Sequence, residues 1–244
     1  NVRIENSITA FGGQFIVNQC INGGPTGNGV PAFCTLISRA PNGSIESLLS
    51  AGLNAGGTKV EGYDLTMNYR LPDTRFGSFS FNWDSTYMDD YSVDNNGDGQ
   101  FDVLDYDNDG VPNGTSQVGQ YFNRFNDWRI RSNLLARWEM SDYAATWSMR
   151  YYSAQSEFCA LSGTQFQPLC NEANVNGGLN RLGATTYHDV AFYWNSPWNS
   201  KITLGVKNLF EKDPPISTTT FANSFDPNYE IPGRFFYLQY NQQF

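Results

Sequence analysis

Positive charge is scarce in this sequence. Its 15 Lys and Arg stand against 24 Asp and Glu, a formal net charge of −9, and no stretch gathers the cations into a basic patch, which argues against a nucleic-acid surface. Histidine is almost missing, with His188 the single example. One imidazole, without a second His, a CxxC pair or a nucleophilic Ser motif, leaves no basis for a zinc site or a Ser–His hydrolase, so no enzymatic activity is expected. Long apolar runs are missing too. None approaches the roughly 18 residues that a membrane-crossing helix needs, so no helical span is expected. The opening "NVRIENSITAF" carries neither an initiator Met nor a leader pattern, and the expectation is a processed precursor or a part of a longer polypeptide.

What is abundant points to strands. Aromatics make up 16% of the residues, with 14 Tyr, 18 Phe and 6 Trp, and charged residues only 16%, against about 25% in ordinary globular domains. Aromatic-rich, glycine-rich and charge-poor sequence favours β structure. The four cysteines fall as two local pairs, Cys20 with Cys34 and Cys159 with Cys170, each among Gly, Asn and Pro residues. Loop-closing disulfides formed in an oxidising compartment fit that placement.

Seven segments of about ten residues alternate apolar and polar side chains, the mark of a strand with unlike faces. "GYDLTMNYRL" sets Tyr63, Leu65, Met67 and Tyr69 against Asp64, Thr66, Asn68 and Arg70. "GSFSFNWDSTY" opposes Phe79, Phe81, Trp83 and Tyr87 to Ser78, Ser80, Asn82 and Asp84. In "DWRIRSNLLARWEM", Trp128, Ile130, Leu134, Ala136 and Trp138 oppose Arg129, Arg131, Asn133 and Arg137. Three arginines on one face would be costly inside a sandwich core. "DYAATWSMRYY", "TTYHDVAFYWN", "SKITLGVKNLF" and "RFFYLQYNQQF" repeat the pattern, and an eighth strand is expected to enter around 2–8. His188 falls near a strand start on the apolar side.

Connection lengths alternate as well. "PDT" (72–74), "MSD" (140–142) and "SPWN" (196–199) are short, whereas 88–126, 153–184 and 211–232 are long, as is 9–58 before the first full strand. Short turns on one rim and long polar loops on the other predict an all-β, transmembrane antiparallel β-barrel. Trp128, Trp138, Tyr143, Tyr151, Trp194 and Phe244 are expected in its interfacial girdles. The competing reading is a secreted, calcium-stabilised β-sandwich acting as an adhesion or glycan-binding module. Its strands alternate too, but its apolar faces must meet inside.

The C-terminal third then resembles a family. "ITLGVKNLFEKDPP" (202–215) and "NYEIPGRFFYLQYNQQF" (228–244) are similar to the end of TonB-dependent outer-membrane receptors. The residues carrying the likeness are Val206, Asn208, Leu209, Phe210, Glu211, Lys212, Pro214, Pro215, Gly233, Arg234 and Phe235, with 229–232 standing in for the approach to the last strand. Phe244, Tyr240 and Leu238 resemble the signal read by the outer-membrane assembly machinery, with Gln242 where an aromatic is usual. The segment from Gln19 to Leu65 is similar to upstream loops of the family. The resemblance implies that residues 1–244 are the C-terminal portion of a barrel of about 22 strands, contributing about eight of them, with short periplasmic turns and long extracellular loops. The plug domain is not in this chain. It implies TonB-dependent uptake, across the bacterial outer membrane, of a scarce solute such as a siderophore, cobalamin or an oligosaccharide. The implied partners are the plug and N-terminal strands, the TonB–ExbB–ExbD motor acting through the plug, outer-membrane lipids, and a surface lipoprotein or other subunits. No nucleic acid is expected, and no cofactor is required.

One stretch raises a metal. In "SVDNNGDGQFDVLDYDNDGVPNG" (92–114), Asp94, Asn96, Asp98, Gln100, Asp102 and Asp105 follow an EF-hand-like spacing with Gly99 at the turn, and Asp107 and Asp109 continue the alternation. Hard oxygen ligands at alternate positions suit calcium. No flanking helices accompany them, and an Asn/Asp/Gly-rich solvated turn has the same composition. A structural calcium stiffening an outer loop is the metal reading. Asp64, Asn68, Arg70, Asn82, Asp84, Arg129, Arg131, Arg137 and Arg150 are expected to line the inner wall, pairing with one another or with a plug. Phe158, Phe166, Phe221 and Phe225 are expected at the outer mouth or packed within their loops.

Overall fold

The alternation becomes a sheet in the computed structural model, which describes residues 2–5, 8–10, 12–22, 31–50, 52–54, 57–94, 100–103, 114–122, 125–126, 128–159, 161, 163–170, 178, 180–220, 225–230 and 232–243. In chain order the elements are β1 (Val2–Glu5), β2 (Ile8–Ala10), α1 (Gly13–Asn22), α2 (Pro31–Cys34), β3 (Ile37–Arg39), β4 (Ile45–Leu48), β5 (Gly52–Asn54), β6 (Gly57–Arg70) and β7 (Ser78–Val93). After β7 come β8 (Gln120–Phe122), β9 (Phe125–Asn126), β10 (Ile130–Met140), β11 (Tyr143–Tyr152) and β12 (Gln155–Glu157). The chain ends with β13 (Arg181–Leu182), β14 (Thr185–Ser196), β15 (Ser200–Lys207) and β16 (Phe235–Gln242). Packing divides the chain into two units, one of Asn1–Val2, Val60–Ser92 and Val103–Phe244, the other of Arg3–Lys59 and Val93–Asp102.

The principal sheet has eight strands in the order β1-β6-β7-β10-β11-β14-β15-β16. These are the seven expected strands and the expected eighth, and the fold is all-β and antiparallel as anticipated. Between β7 and β16 each strand pairs antiparallel with the next in the sheet. The registers keep the two faces separate. Phe81, Ala136, Trp147, Val190, Val206 and Phe236 form one row across six strands, and Phe79, Trp138, Ala145, Phe192, Leu204 and Leu238 form the next. On the opposite face Ser80, Arg137, Thr146, Ala191, Gly205 and Tyr237 line up. A slip of one residue would exchange the faces, so this apolar stripe is what sets the pairing.

The apolar face is uncovered. Phe236 and Leu238 are each 69% exposed and Tyr63 is 73% exposed. A sandwich core would bury such residues against a second sheet.

Short turns close one rim. β6 and β7 are joined through a Thr74–Gly77 bridge. Gly77 is left-handed (φ 99°), and a Cβ there would strike the carbonyl of Glu139. β10 and β11 are joined by two residues with Ser141 at φ 51°, the twist that tight hairpins need. β14 and β15 turn through Asn199 at φ 56°, braced by a 2.6 Å contact between the Ser196 and Ser200 hydroxyls. Gln242 donates to the Trp198 carbonyl (3.0 Å), which gives this Gln a role in holding that turn. On the polar face Gly205 leaves room for the Tyr237 ring, which lies where a Cβ would point.

The smaller unit replaces the long connection expected at 9–58 with a packed module. Ile16 (1% exposed) and Phe33 (5%) form its core, with Phe15, Cys20, Leu36, Ile37 and Leu48 around them. The Cys20–Cys34 disulfide ties α1 to α2. The alternation pattern was blind to these helices, since Ile16 and Cys20 carry the i, i+4 spacing of one helix face rather than a period of two.

Candidate ligand-gathering rim

The long connections gather at the end of the sheet opposite the short turns, and they fold on one another. β8, from the connection after β7, runs parallel to β12, from the connection after β11. With β9 and β13 they make a second sheet of four strands in the order β13-β12-β8-β9. The end of β7 joins in, since the Gln117 amide donates to the Tyr91 carbonyl at 2.7 Å. The Cys159–Cys170 disulfide closes the 153–184 connection beside β12, with both cysteines buried.

Buried acids fasten the third connection, 208–234, to this sheet. Glu157 (1% exposed) accepts from the Ser217 hydroxyl at 2.5 Å, the Thr218 amide and hydroxyl at 2.6 Å each, and the Thr219 hydroxyl at 2.8 Å. Asp226 (1% exposed) accepts from the Tyr121 hydroxyl at 2.6 Å and the Asn228 amide at 2.7 Å. Tyr229 completes an aromatic cluster with Trp128, Tyr152 and Tyr187, and its oxygen takes the Trp128 indole N–H at 3.1 Å.

Below the rim, the polar wall spends its charge internally. The Arg150 guanidinium holds both carboxylate oxygens of Glu230 and donates to Asp189 at 2.8 Å. Arg131 lies over the Trp128 and Tyr152 rings at 5.9 and 5.7 Å. Arg137 and Lys201 flank Tyr193 at 5.9 and 4.8 Å, and Thr86 donates to Asp64 at 2.6 Å. Arg70 meets Asp73 at 3.7 Å, with both side chains exposed. Such pairs are of little energetic weight. Asp64, Arg70, Arg131, Arg137 and Arg150 thus each meet a neighbour within the chain.

The motif that carries the family resemblance is a single knot at the foot of connection 208–234. Asn208, left-handed at φ 49°, donates through Nδ2 to the Lys212 carbonyl and accepts the Lys212 amide through Oδ1 at 2.8 Å. Its own amide goes to Asp189 at 2.8 Å. Arg234, at the other end of the connection, donates to the Leu209 carbonyl at 2.9 Å and lies 3.4 Å from Glu211. Asn tolerates the left-handed turn better than most residues.

Several sequence expectations are refined. Trp128 is not a girdle residue: the chain enters β10 after it, and its ring is buried in the aromatic cluster beside Tyr152 and Tyr187. Tyr143 and Trp194 do lie on the apolar face, Tyr143 stacked on Phe192 and Trp194 edge-on to Trp198. His188 is on the apolar side of β14 as expected, between Trp147 and Phe210. Phe158 and Phe166 are exposed, Phe225 bridges to Ile216, and Phe221 lies outside the described residues. Of the residues expected to form an assembly signal, Leu238 and Tyr240 are exposed on the apolar face, and Phe244 lies outside the described residues.

Of the acidic run, Asp94 is buried and its amide donates to Gly57, while the Asp102 amide donates to Val93 at 2.8 Å. Gln100 is exposed. Asn96, Asp98, Asp105, Asp107 and Asp109 lie outside the described residues. Among the described residues no group of three or more His, Cys, Asp or Glu is placed to hold a metal.

The Glu157 and Asp226 joints escaped the sequence reading altogether. The run Ser217–Thr220 is a visible signal, four consecutive hydroxyl donors, but its acceptor lies 60 residues upstream.

Burial pushes the Tyr229 phenol up to about 12, with the Trp128 hydrogen bond pulling the other way. The fold thus favours the neutral phenol. The stability it adds is complete below the ordinary value of 10 and is lost as pH rises from 10 to about 12. Phenolate absorbance of the intact protein should show late-ionising tyrosines, and one fewer of them in Tyr229→Phe. Identical titrations of the two proteins would contradict this placement.

No family model and no curated relative matches the sequence. By structure the chain is similar to the siderophore receptor PiuA from Acinetobacter baumannii, with 15% identity and TM-score 0.47, covering 84% of this chain and 23% of that one. It is similar to the ferric-catecholate import receptor Fiu from E. coli K12 (16% identity, TM-score 0.46, 84% and 22% covered). The FrpB iron transporter from Neisseria meningitidis is a third (16%, TM-score 0.47, 80% and 25%). The chain spans about a quarter of the length of these structures.

Proposed function

We propose that residues 1–244 form the C-terminal wall segment of a larger transmembrane β-barrel in a bacterial outer membrane, part of a TonB-dependent receptor that takes up a scarce solute. One observation carries this reading. An eight-stranded antiparallel meander exposes a continuous apolar face and keeps its arginines on the other. In water that face is a liability; in hydrocarbon it is a requirement, because only a closed ring of strands satisfies every backbone group there. β1 and β16 stand at the two edges of the sheet, which suits a segment flanked by further strands better than an eight-stranded barrel closed on itself. The knot of Asn208, Glu211 and Arg234 gives the family-like motif a structural purpose.

On this reading the three long connections face outward and gather the solute, and the short turns face the periplasm. A plug, supplied by the rest of the receptor, fills the barrel and is pulled by the TonB–ExbB–ExbD motor. The solute is a siderophore, cobalamin or an oligosaccharide, and a surface lipoprotein or other subunits are candidate partners. The chain acts by binding and gating rather than by catalysis. The sandwich alternative requires a second sheet over Phe236, Leu238 and Leu204, all half or more exposed.

The intact protein should need detergent for solubility and should migrate faster in gels when unheated than when boiled. A detergent-free soluble monomer without that shift would overturn the proposal. We also propose that calcium, where it binds, stiffens the acidic loop. Millimolar calcium should then slow proteolysis within 92–114 and leave the heat-dependent gel shift unchanged. Equal cleavage with calcium and with chelator would reduce the run to a solvated turn.

A further inference from the structure

We propose that Glu157 is a latch that joins residues 155–159 to residues 217–220 and 226–229, so that these segments of the rim open and close together rather than one by one. The inference does not depend on the solute or on transport.

Glu157 is 1% exposed, yet among the described residues its carboxylate is held by neutral donors alone. Oε1 takes the Thr218 amide and hydroxyl, both at 2.6 Å. Oε2 takes the hydroxyls of Ser217 at 2.5 Å and Thr219 at 2.8 Å, with the Thr219 amide at 3.4 Å. A carboxylate removed from water is tolerable only while such donors surround it. Pulling 217–219 away by a fraction of its length leaves the acid buried and unpaired, and pulling it fully away rehydrates the acid. The intermediate is the costly state, so the joint has two positions, shut and open.

Further contacts make the latch act on the whole rim. The Glu157 amide donates to the Asn180 carbonyl at 2.7 Å, and β12 is parallel to β8, so a pull on Glu157 reaches both sides of the four-stranded sheet. Connection 208–234 is caught again where Asp226 takes the Tyr121 hydroxyl (2.6 Å) and where Tyr229 meets Gln155 at 3.4 Å. Segments 217–219 and 226–229 are thus tied to the same strands, and neither can lift without disturbing the other's anchor.

The test is hydrogen–deuterium exchange on the intact protein in detergent, comparing Glu157→Gln with the parent. Gln keeps the size but turns one acceptor into a donor facing donors. Amides in 155–159, 217–220 and 226–229 should exchange faster together, by on the order of ten- to a hundredfold, while β10, β11, β14 and β15 keep their rates. Thr218→Val and Thr219→Val each remove one hydroxyl donor without touching the acid, and they should accelerate the same three segments by a smaller factor. These two variants carry the test if Glu157→Gln does not assemble. Faster exchange confined to one segment, or none at all, would overturn the latch.

Discussion

The principal sheet is governed by an apolar face that no other described element of the chain covers. Two rows of Phe, Trp, Val, Leu and Ala side chains run unbroken across six strands. Each large one withdrawn from water contributes on the order of 1.5–3 kcal/mol. Left in water, the same face would drive aggregation. On the proposed reading a bilayer resolves this, and it imposes a second condition: backbone groups must pair along the sheet, because no water is there to take them. Strand length, tight turns on one rim and strict alternation are consequences of these two conditions.

The constraint ends where the strands of the principal sheet end, and the design changes there. Above β10, β11 and β14 the chain builds a water-facing structure in the usual way, with a buried aromatic cluster, a small mixed sheet, a disulfide and two buried acids. Arg150 sits at the join. It is held by Asp189 on the wall and by Glu230 on the connection above, so the wall and the rim share one ion network. Long connections carry a closure entropy that grows only slowly with length, and the rim offsets it with hydrogen bonds between connections together with the aromatic cluster.

The strands were legible in the sequence because their signal is local and periodic. Leu65, Met67 and Tyr69 against Asp64, Thr66 and Asn68 declare a two-faced strand without reference to anything distant. The short turns were legible for the same reason, and so were the two disulfides, each between near neighbours. What stayed hidden depends on partners far apart in the chain. Glu157 looks like an ordinary surface acid until Ser217, Thr218 and Thr219 arrive. Trp128 fits a girdle by parity alone, but Tyr229, about a hundred residues later, draws it into a cluster. The helices of the smaller unit carry a period of 3.6, which an alternation of two does not reveal.

The central claim is that the two faces of the sheet meet different solvents. Single nitroxide labels at positions 236, 238, 240 and at 239, 241 of the intact membrane-embedded protein read this directly, through collision with dissolved oxygen and with a water-soluble nickel chelate. The account predicts oxygen-accessible, chelate-shielded labels at Phe236, Leu238 and Tyr240, and the reverse at Gln239 and Asn241. Accessibility without alternation, or with the opposite phase, would contradict it.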